Sequence, residues 1–214
     1  MSLREELVRA ATDLLDEGGP ENVTLREVGH RTGVSRTAPY LYFPNKTGLL
    51  AAVAALELHN LVVRIQALNT PGIRQFEMLR IAMDQYVKWA MEHPERFRLV
   101  FGSWKEESQE LISAADRAIE LLVGLVKGSQ SEGTLPEADP WILATAIRSF
   151  AHGVAVLSQA GHLLGENRQP LEAEGLVDAY LTSIPTVASE FAAAVEQRAQ
   201  QDEGRTGWAE ALGR

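Results

Sequence analysis

Between Leu25 and Phe43 the stretch LREVGHRTGVSRTAPYLYF carries three arginines, one acid and three aromatic residues. Arg36, Thr37, Ala38, Tyr40 and Tyr42 are the residues in it whose types fit one another chemically. An arginine gives two parallel hydrogen bonds to guanine or pairs a phosphate, and a threonine or alanine meets a base edge or a thymine methyl. Tyrosine hydroxyls reach phosphate oxygens. Thr24 and Lys46 flank the stretch at two expected helix starts, where free N–H groups and a cation favour phosphate. The chemistry is that of holding a polyanion. Residues 22–50 sum to +3 in a chain of net charge -9, leaving -12 for the remainder. Such asymmetry suits one small surface that meets a polyanion while the rest avoids it, although a merely solvated basic face gives the same count.

Other chemistries find little support. No cysteine is present, which excludes disulfides, thiolate metal sites and cysteine nucleophiles, and fits a reducing compartment. Glu27 and His30 have the Glu-x-x-His spacing of carboxylate-bridged metal sites in helical bundles, but a second copy is required and none occurs. The histidines at 30, 59, 93, 152 and 162 include no pair three or four apart, and no phosphate loop, serine elbow or zinc helix is found. No catalytic residue, metal or cofactor is therefore expected, and the chain is not expected to be an enzyme. A helical enzyme and an interaction module without DNA binding remain the competing readings. The charged N-terminus and a longest apolar run of only Leu49 to Leu56 point to a cytoplasmic protein without a membrane partner.

The elements that would position these residues are all helical, since spacings of three and four dominate and strict alternation is absent. Ser2 and Glu5 form a capping box for a first helix with inner face Leu7, Ala11, Leu14 and Leu15, stopped at Gly18-Gly19-Pro20. Thr24 and Glu27 repeat the device, with Val23 stapled onto Val28. That second helix ends at Thr32-Gly33, and a third starts from Ser35 and runs to about Phe43, giving a helix-turn-helix. Gly29 would admit the next helix closely and Gly33 would take a positive φ. Val28, Val34 and Phe43 supply a small core.

Beyond Asn45 the helices lengthen. One runs from Lys46 to about Ala67, a second carries Phe76, Leu79, Met83, Tyr86 and Ala90, and Pro94 opens a short one. Leu111, Ala115, Ala118, Leu122 and Leu125 mark the next, closed by Gly128. After a loop to Asp139, Pro140 starts a helix expected to reach about Leu164, with an apolar seam of Leu143, Ile147, Phe150, Val154 and Leu157. Beside it runs a stripe of Ala146, Ser149, Gly153, Val156 and Ala160, small enough for another helix to approach. Leu176, Tyr180, Ile184, Val187, Phe191 and Val195 mark the last helix, kinked or split at Pro185, before a polar tail.

The run VTLREVGHRTGVSRTAPYLYFPNKTGLL, Val23 to Leu50, resembles the tetracycline-repressor (TetR) family of bacterial transcription regulators. The resemblance rests on Gly33-Val34-Ser35, Tyr40, and Phe43-Pro44-Asn45-Lys46 leading into Leu49-Leu50. It implies backbone contacts from Tyr40 and Lys46, and groove contacts from Arg36, Thr37, Ala38 and Tyr42. Pro39 departs from the family's aliphatic residue, and is expected to stiffen the start of the recognition helix. The implied organisation is an all-α chain with a DNA-binding head at 1–47, an effector-binding and dimerising body at 48–200, and a tail at 201–214. The implied partners are a palindromic double-stranded operator, a second copy of the chain and a small effector whose binding releases DNA from a repressor.

Tyr86, Trp89, Phe97, Phe101, Trp104, Phe150 and His152 are then the candidates for the effector pocket, though an aromatic stripe at helical spacing is also ordinary core. The dimer surface would be Ala146, Ser149, Gly153, Val156 and Ala160 with Tyr180, Ile184 and Val187. The doublet His152-Gly153 is similar to one in the body of a TetR subgroup.

Overall fold

The structure, a computed structural model, describes residues 2–104 and 108–184. It is built from helices, and among the described residues the strand geometry amounts to an isolated bridge between Leu164 and Pro170. Helix α1 (Leu3–Asn22) starts from the expected box: Ser2 Oγ accepts from Glu5 N–H, and the Glu5 carboxylate accepts from Ser2 N–H at 2.8 Å. Leu7, Ala11, Leu14 and Leu15 face inward, and the helix breaks at Gly18 and Gly19.

Helix α2 (Leu25–Arg31) is capped by Thr24, which accepts from Glu27 N–H at 3.1 Å. Only this half of the second box forms, because the Glu27 carboxylate turns to His30, 3.9 Å away. The exit from α2 uses glycine as expected. Gly33 sits at φ +70°, Gly33 N–H bonds His30 O, and Val34 N–H bonds Gly29 O, the pair of bonds that closes a helix through a left-handed residue.

The next element differs from the expected α-helix over Ser35–Phe43. It is a single 3-10 turn, Ala38–Leu41. Pro39 has no N–H to return to the Ser35 carbonyl, which accepts instead from Ala38 at 3.1 Å. The proline therefore tightens the recognition element rather than merely stiffening its start. Its ring is buried against Gly29: a Cβ at Gly29 would lie 3.0 Å from Pro39 Cγ. Gly29→Val is accordingly expected to cost about 2 kcal/mol in urea unfolding, the usual penalty of overpacking, and Pro39→Ala should relieve much of it.

The long helices follow: α3 (Lys46–Ala67), α4 (Gln75–Glu92), α5 (Pro94–Val100), α6 (Gln109–Ser131), α7 (Pro140–Gln159), and α8 over residues 173–184. Asn45, Ser108 and Asp139 cap α3, α6 and α7 through their side chains. Two expected limits move. Gly128 does not close α6, which ends at Ser131 with Glu132 as its cap, before Gly133 at φ +69°. Gly128 instead lets α4 in, since a Cβ there would meet Gln75 Cγ at 2.5 Å. Helix α7 stops at Gln159 rather than near Leu164, turned by Gly161 at φ +71°. Its inner seam is Ala144, Ile147, Ala151, Val154 and Ala155, while Leu157 faces out. Positions seven apart drift about 20° around a helix per step, so a line through Leu143 and Phe150 leaves the core by Leu157.

One hydrophobic core runs from α1 to α8, with α6 packed on α3, α4 and α7. Two helices, α3 and α7, are long and apolar enough to cross a bilayer by composition, which the short run Leu49–Leu56 did not indicate. Helix α3 is enclosed by its neighbours. Helix α7 leaves Trp141, Ile142, Val156 and Leu157 exposed. Pro185, Val187, Phe191, Val195 and the tail lie outside the described residues.

Candidate nucleic-acid interface and body cavity

The turn Ala38–Leu41 is held from behind by Pro39 on Gly29 and by Phe43, which is buried with the Arg4 guanidinium 5.2 Å above its ring. With these anchors inside, the remaining side chains must point out. Thr24, Arg36, Thr37, Tyr40 and Tyr42 are exposed, and Ala38 and Lys46 are half-buried. Every residue expected on the nucleic-acid face thus lies at or near the surface.

Charge availability divides the cations of this region. Arg31 is committed to Glu17 through two hydrogen bonds of 2.6 and 2.5 Å, and it ties α2 to α1. That pairing raises the Arg31 pKa and lowers that of Glu17. Lys46 lies 3.8 Å from Glu21, a loose pair with a fully solvated acid. Among the described residues Arg26 and Arg36 make no ion pair, so both keep their charge available for phosphate. Arg26 was counted in the sequence but given no place, and its exposure on the first turn of α2 supplies one.

Leu41 is a second addition. It is 83% exposed between Tyr40 and Tyr42, and an apolar side chain held out at a recognition element fits contact with thymine methyls. A regular helix from Ser35 gave no reason to single it out, whereas the proline that converts the helix to a 3-10 turn did.

The body encloses a cavity of about 490 Å³ between α3, α4, α6, the end of α5 and one residue of α7. Leucine, isoleucine, valine, alanine and methionine make up most of its wall. Of the seven aromatic candidates, Tyr86, Phe101 and Trp104 line it. Trp89 and Phe97 are buried beside it as core, the indole N–H of Trp89 donating to Glu57 at 3.2 Å. Phe150 stacks on Tyr180 at 4.0 Å between centroids, between α7 and α8 and away from the cavity. His152 stands one layer behind the wall: its Nδ1 is 2.9 Å from the Tyr86 hydroxyl and its ring stacks on Phe97 at 4.8 Å.

The electrostatics of this layer follow from burial. Desolvation, helped by the nearby Arg148 charge, holds the His152 imidazole below its ordinary range, which favours the neutral ring as the hydrogen-bond partner of Tyr86. Burial likewise pushes the Tyr86 hydroxyl well above its ordinary value and keeps it protonated. Arg148 was not among the candidates, yet it lines the cavity and is the sole charged residue of α7. A lone cation in an otherwise apolar helix was the signal that could have found it.

The expected dimer stripe lies on the open side of α7. Ala146, Ser149, Val156 and Ala160 are exposed, and Gly153 is half-buried with nothing within 4 Å of where a Cβ would stand. Tyr180 and Ile184 of α8 are half-buried, and Val187 lies outside the described residues.

Likeness to known proteins accords with this geometry. Residues 7–53 match the family described as bacterial regulatory proteins, tetR family, and residues 79–184 match the tetracyclin repressor-like, C-terminal domain. The head is 43% identical over 51 residues to the Escherichia coli tetracycline repressor protein class C, covering 24% of this chain and 23% of that one. The nucleoid occlusion factor SlmA of Serratia proteamaculans is 23% identical over 158 residues, 71% of this chain and 80% of its own. A structure of a protein with unknown function from Rhodococcus sp. RHA1 shares the fold with a TM-score of 0.74, at 23% identity over 87% of this chain and 95% of that one. With a tetR head and a tetracyclin repressor-like body matched on one chain, around an outward recognition turn and an apolar cavity, the protein belongs to the TetR family of DNA-binding transcriptional regulators.

Proposed function

We propose that the chain acts as a homodimeric repressor that holds a palindromic operator and lets go when a small molecule fills the body cavity. Two recognition turns related by the twofold axis would enter successive major grooves about 34 Å apart on one side of the duplex. In this reading the head extends to residue 47, the body from 48 to 200, and Tyr40, Arg26 and Lys46 hold phosphates while Arg36, Thr37, Ala38, Leu41 and Tyr42 face the groove. The observation that carries it is the outward array of Arg36, Tyr40 and Tyr42 on a turn whose other side is locked by Pro39 and Phe43. A surface built that way, and left basic in an acidic protein, has a polyanion as its natural partner.

Effector coupling has a short physical route in the same reading. Helix α5 ends in Val100, which with Phe101 lines the cavity, and one turn earlier Arg96 grips Asp16 of α1. An occupant that moves α5 therefore pulls on the head, and by linkage lowers operator affinity as far as it prefers the displaced state.

Salt titration of operator binding tests the DNA face. Affinity should fall steeply with salt, and Tyr40→Ala and Lys46→Ala should weaken binding to every sequence, with Lys46→Ala flattening the salt slope by about one. Arg36→Ala should relax base preference, at about 1–3 kcal/mol of discrimination. Operator affinity untouched by Tyr40→Ala would remove the turn from the interface.

A further inference from the structure

The cavity is apolar but not neutral in what it offers an occupant. Among the described residues no aspartate or glutamate lines it, and its one charged group is Arg148. Arg148 makes no ion pair or hydrogen bond among the described residues, and it is exposed as well as cavity-lining, so it stands where the cavity opens to solvent. Trp104 Nε1, also on this wall, is a buried donor without a partner among the described residues. The Tyr86 hydroxyl is already paired with His152 Nδ1. The groups left unspent thus have protons to give, and an occupant bearing an acceptor would relieve the cost of the unpaired donor.

We infer that the effector is an anionic amphiphile, a long apolar chain ending in a single carboxylate, whose head pairs with Arg148 at the mouth while its tail fills the space between α3, α4 and α6. The inference rests on the cavity being the effector site. An apolar wall selects the tail by area, with little regard to its details. The head supplies sign and orientation, since a guanidinium takes a carboxylate through two parallel hydrogen bonds. An amine in the same place would meet a like charge, and an alcohol would leave the guanidinium unpaired. Because Arg148 is open to water, its contribution is that of a screened pair, so discrimination between heads should be moderate.

The test is calorimetric titration of the full chain with dodecanoate, 1-dodecanol and dodecylamine, which share a tail and differ in the head. Dodecanoate should bind about tenfold more tightly than the alcohol, and the amine more weakly than either. Arg148→Gln should bring dodecanoate down to the affinity of the alcohol without changing the alcohol, and Arg148→Lys should restore part of the difference. Met83→Trp or Ala115→Phe, each placed to fill the cavity, should abolish binding of both, with circular dichroism checking that the variants fold. Equal binding of alcohol and carboxylate, or indifference of dodecanoate to Arg148→Gln, would overturn the head-group assignment while leaving the cavity as the effector site. Dodecanoyl-CoA binding more tightly than dodecanoate and unmoved by Arg148→Gln would also overturn it, in favour of a nucleotide thioester read elsewhere. Binding that survives in a folded cavity-filling variant would remove the cavity itself, and with it the effector reading.

Discussion

Arg96→Ala should lower stability by about 3 kcal/mol and the thermal midpoint by roughly 10 °C, the range expected when one member of a buried ion pair is removed. The arginine lies between two carboxylates from different elements. It gives three hydrogen bonds to Asp16 on α1, at 2.9, 3.1 and 2.5 Å, and one to Glu57 on α3 at 3.2 Å. Glu57 is only 3% exposed and takes its other bond from the Trp89 indole. Without Arg96 its carboxylate would be left without its cation in a place water reaches poorly. That stranded charge, more than any lost attraction, makes the effect large. The origin can be separated by a second change. Glu57→Gln keeps an acceptor for Trp89 and removes the charge, so Arg96→Ala with Glu57→Gln should recover most of the loss. If the double variant is as unstable as the single one, the cost lies in packing and the account is wrong. Arg31→Ala, which breaks the solvated pair with Glu17, should barely move the midpoint.

What the sequence revealed and what it concealed divide along the range of the interactions. Caps at Ser2, Thr24 and Asp139, the glycine exit at Gly33 and the start of α3 at Lys46 depend on residues within a few positions, and all were readable. The stripe Leu7, Ala11, Leu14 and Leu15 is likewise a local period, and its burial follows from one helix packing on one core. Gly128 misled because a helix-closing glycine and a glycine admitting another helix look the same until Gln75 is known to lie against it. Pro39 misled for a related reason: the missing N–H was plain, but Gly29 opening a seat for the ring was not, and the seat is what favours a 3-10 turn.

The cavity was less legible than the recognition element. An aromatic stripe shows which side of a helix is inward, yet a void lies among several helices, and no single period reports which inward residues border it. Hence Trp89 and Phe97 proved to be core, Phe150 to pair with Tyr180, and His152 to stand behind Tyr86. The outward residues of the recognition turn could be named in advance because an exposed side chain on a short, anchored turn has only one environment to face.

A single aspartate at Gly153 should convert the protein to monomers in sedimentation and weaken operator binding by more than about 100-fold, because two linked heads gain avidity that separate heads lack. The site isolates association from folding. Nothing lies within 4 Å of a Cβ built on Gly153, so the protomer core has no reason to yield, and glycine is itself a poor residue for the interior of α7. Around it Ala146, Ser149, Val156 and Ala160 form an open stripe, flanked by Trp141, Ile142 and Leu157. Exposed apolar surface of that extent on one helix calls for a partner, and a small-residue stripe sets how closely the partner helix comes. A carboxylate there would be desolvated against its own symmetry mate, with no cation of α7 other than Arg148 to answer it. Gly124→Asp supplies the control, since Gly124 is also helical, exposed and free of neighbours within 4 Å, but lies on α6 away from this face. That variant should remain dimeric and bind operator normally. If Gly153→Asp sediments as the unaltered protein does, the twofold contact lies elsewhere, and the separation of the recognition turns has to be derived from another face.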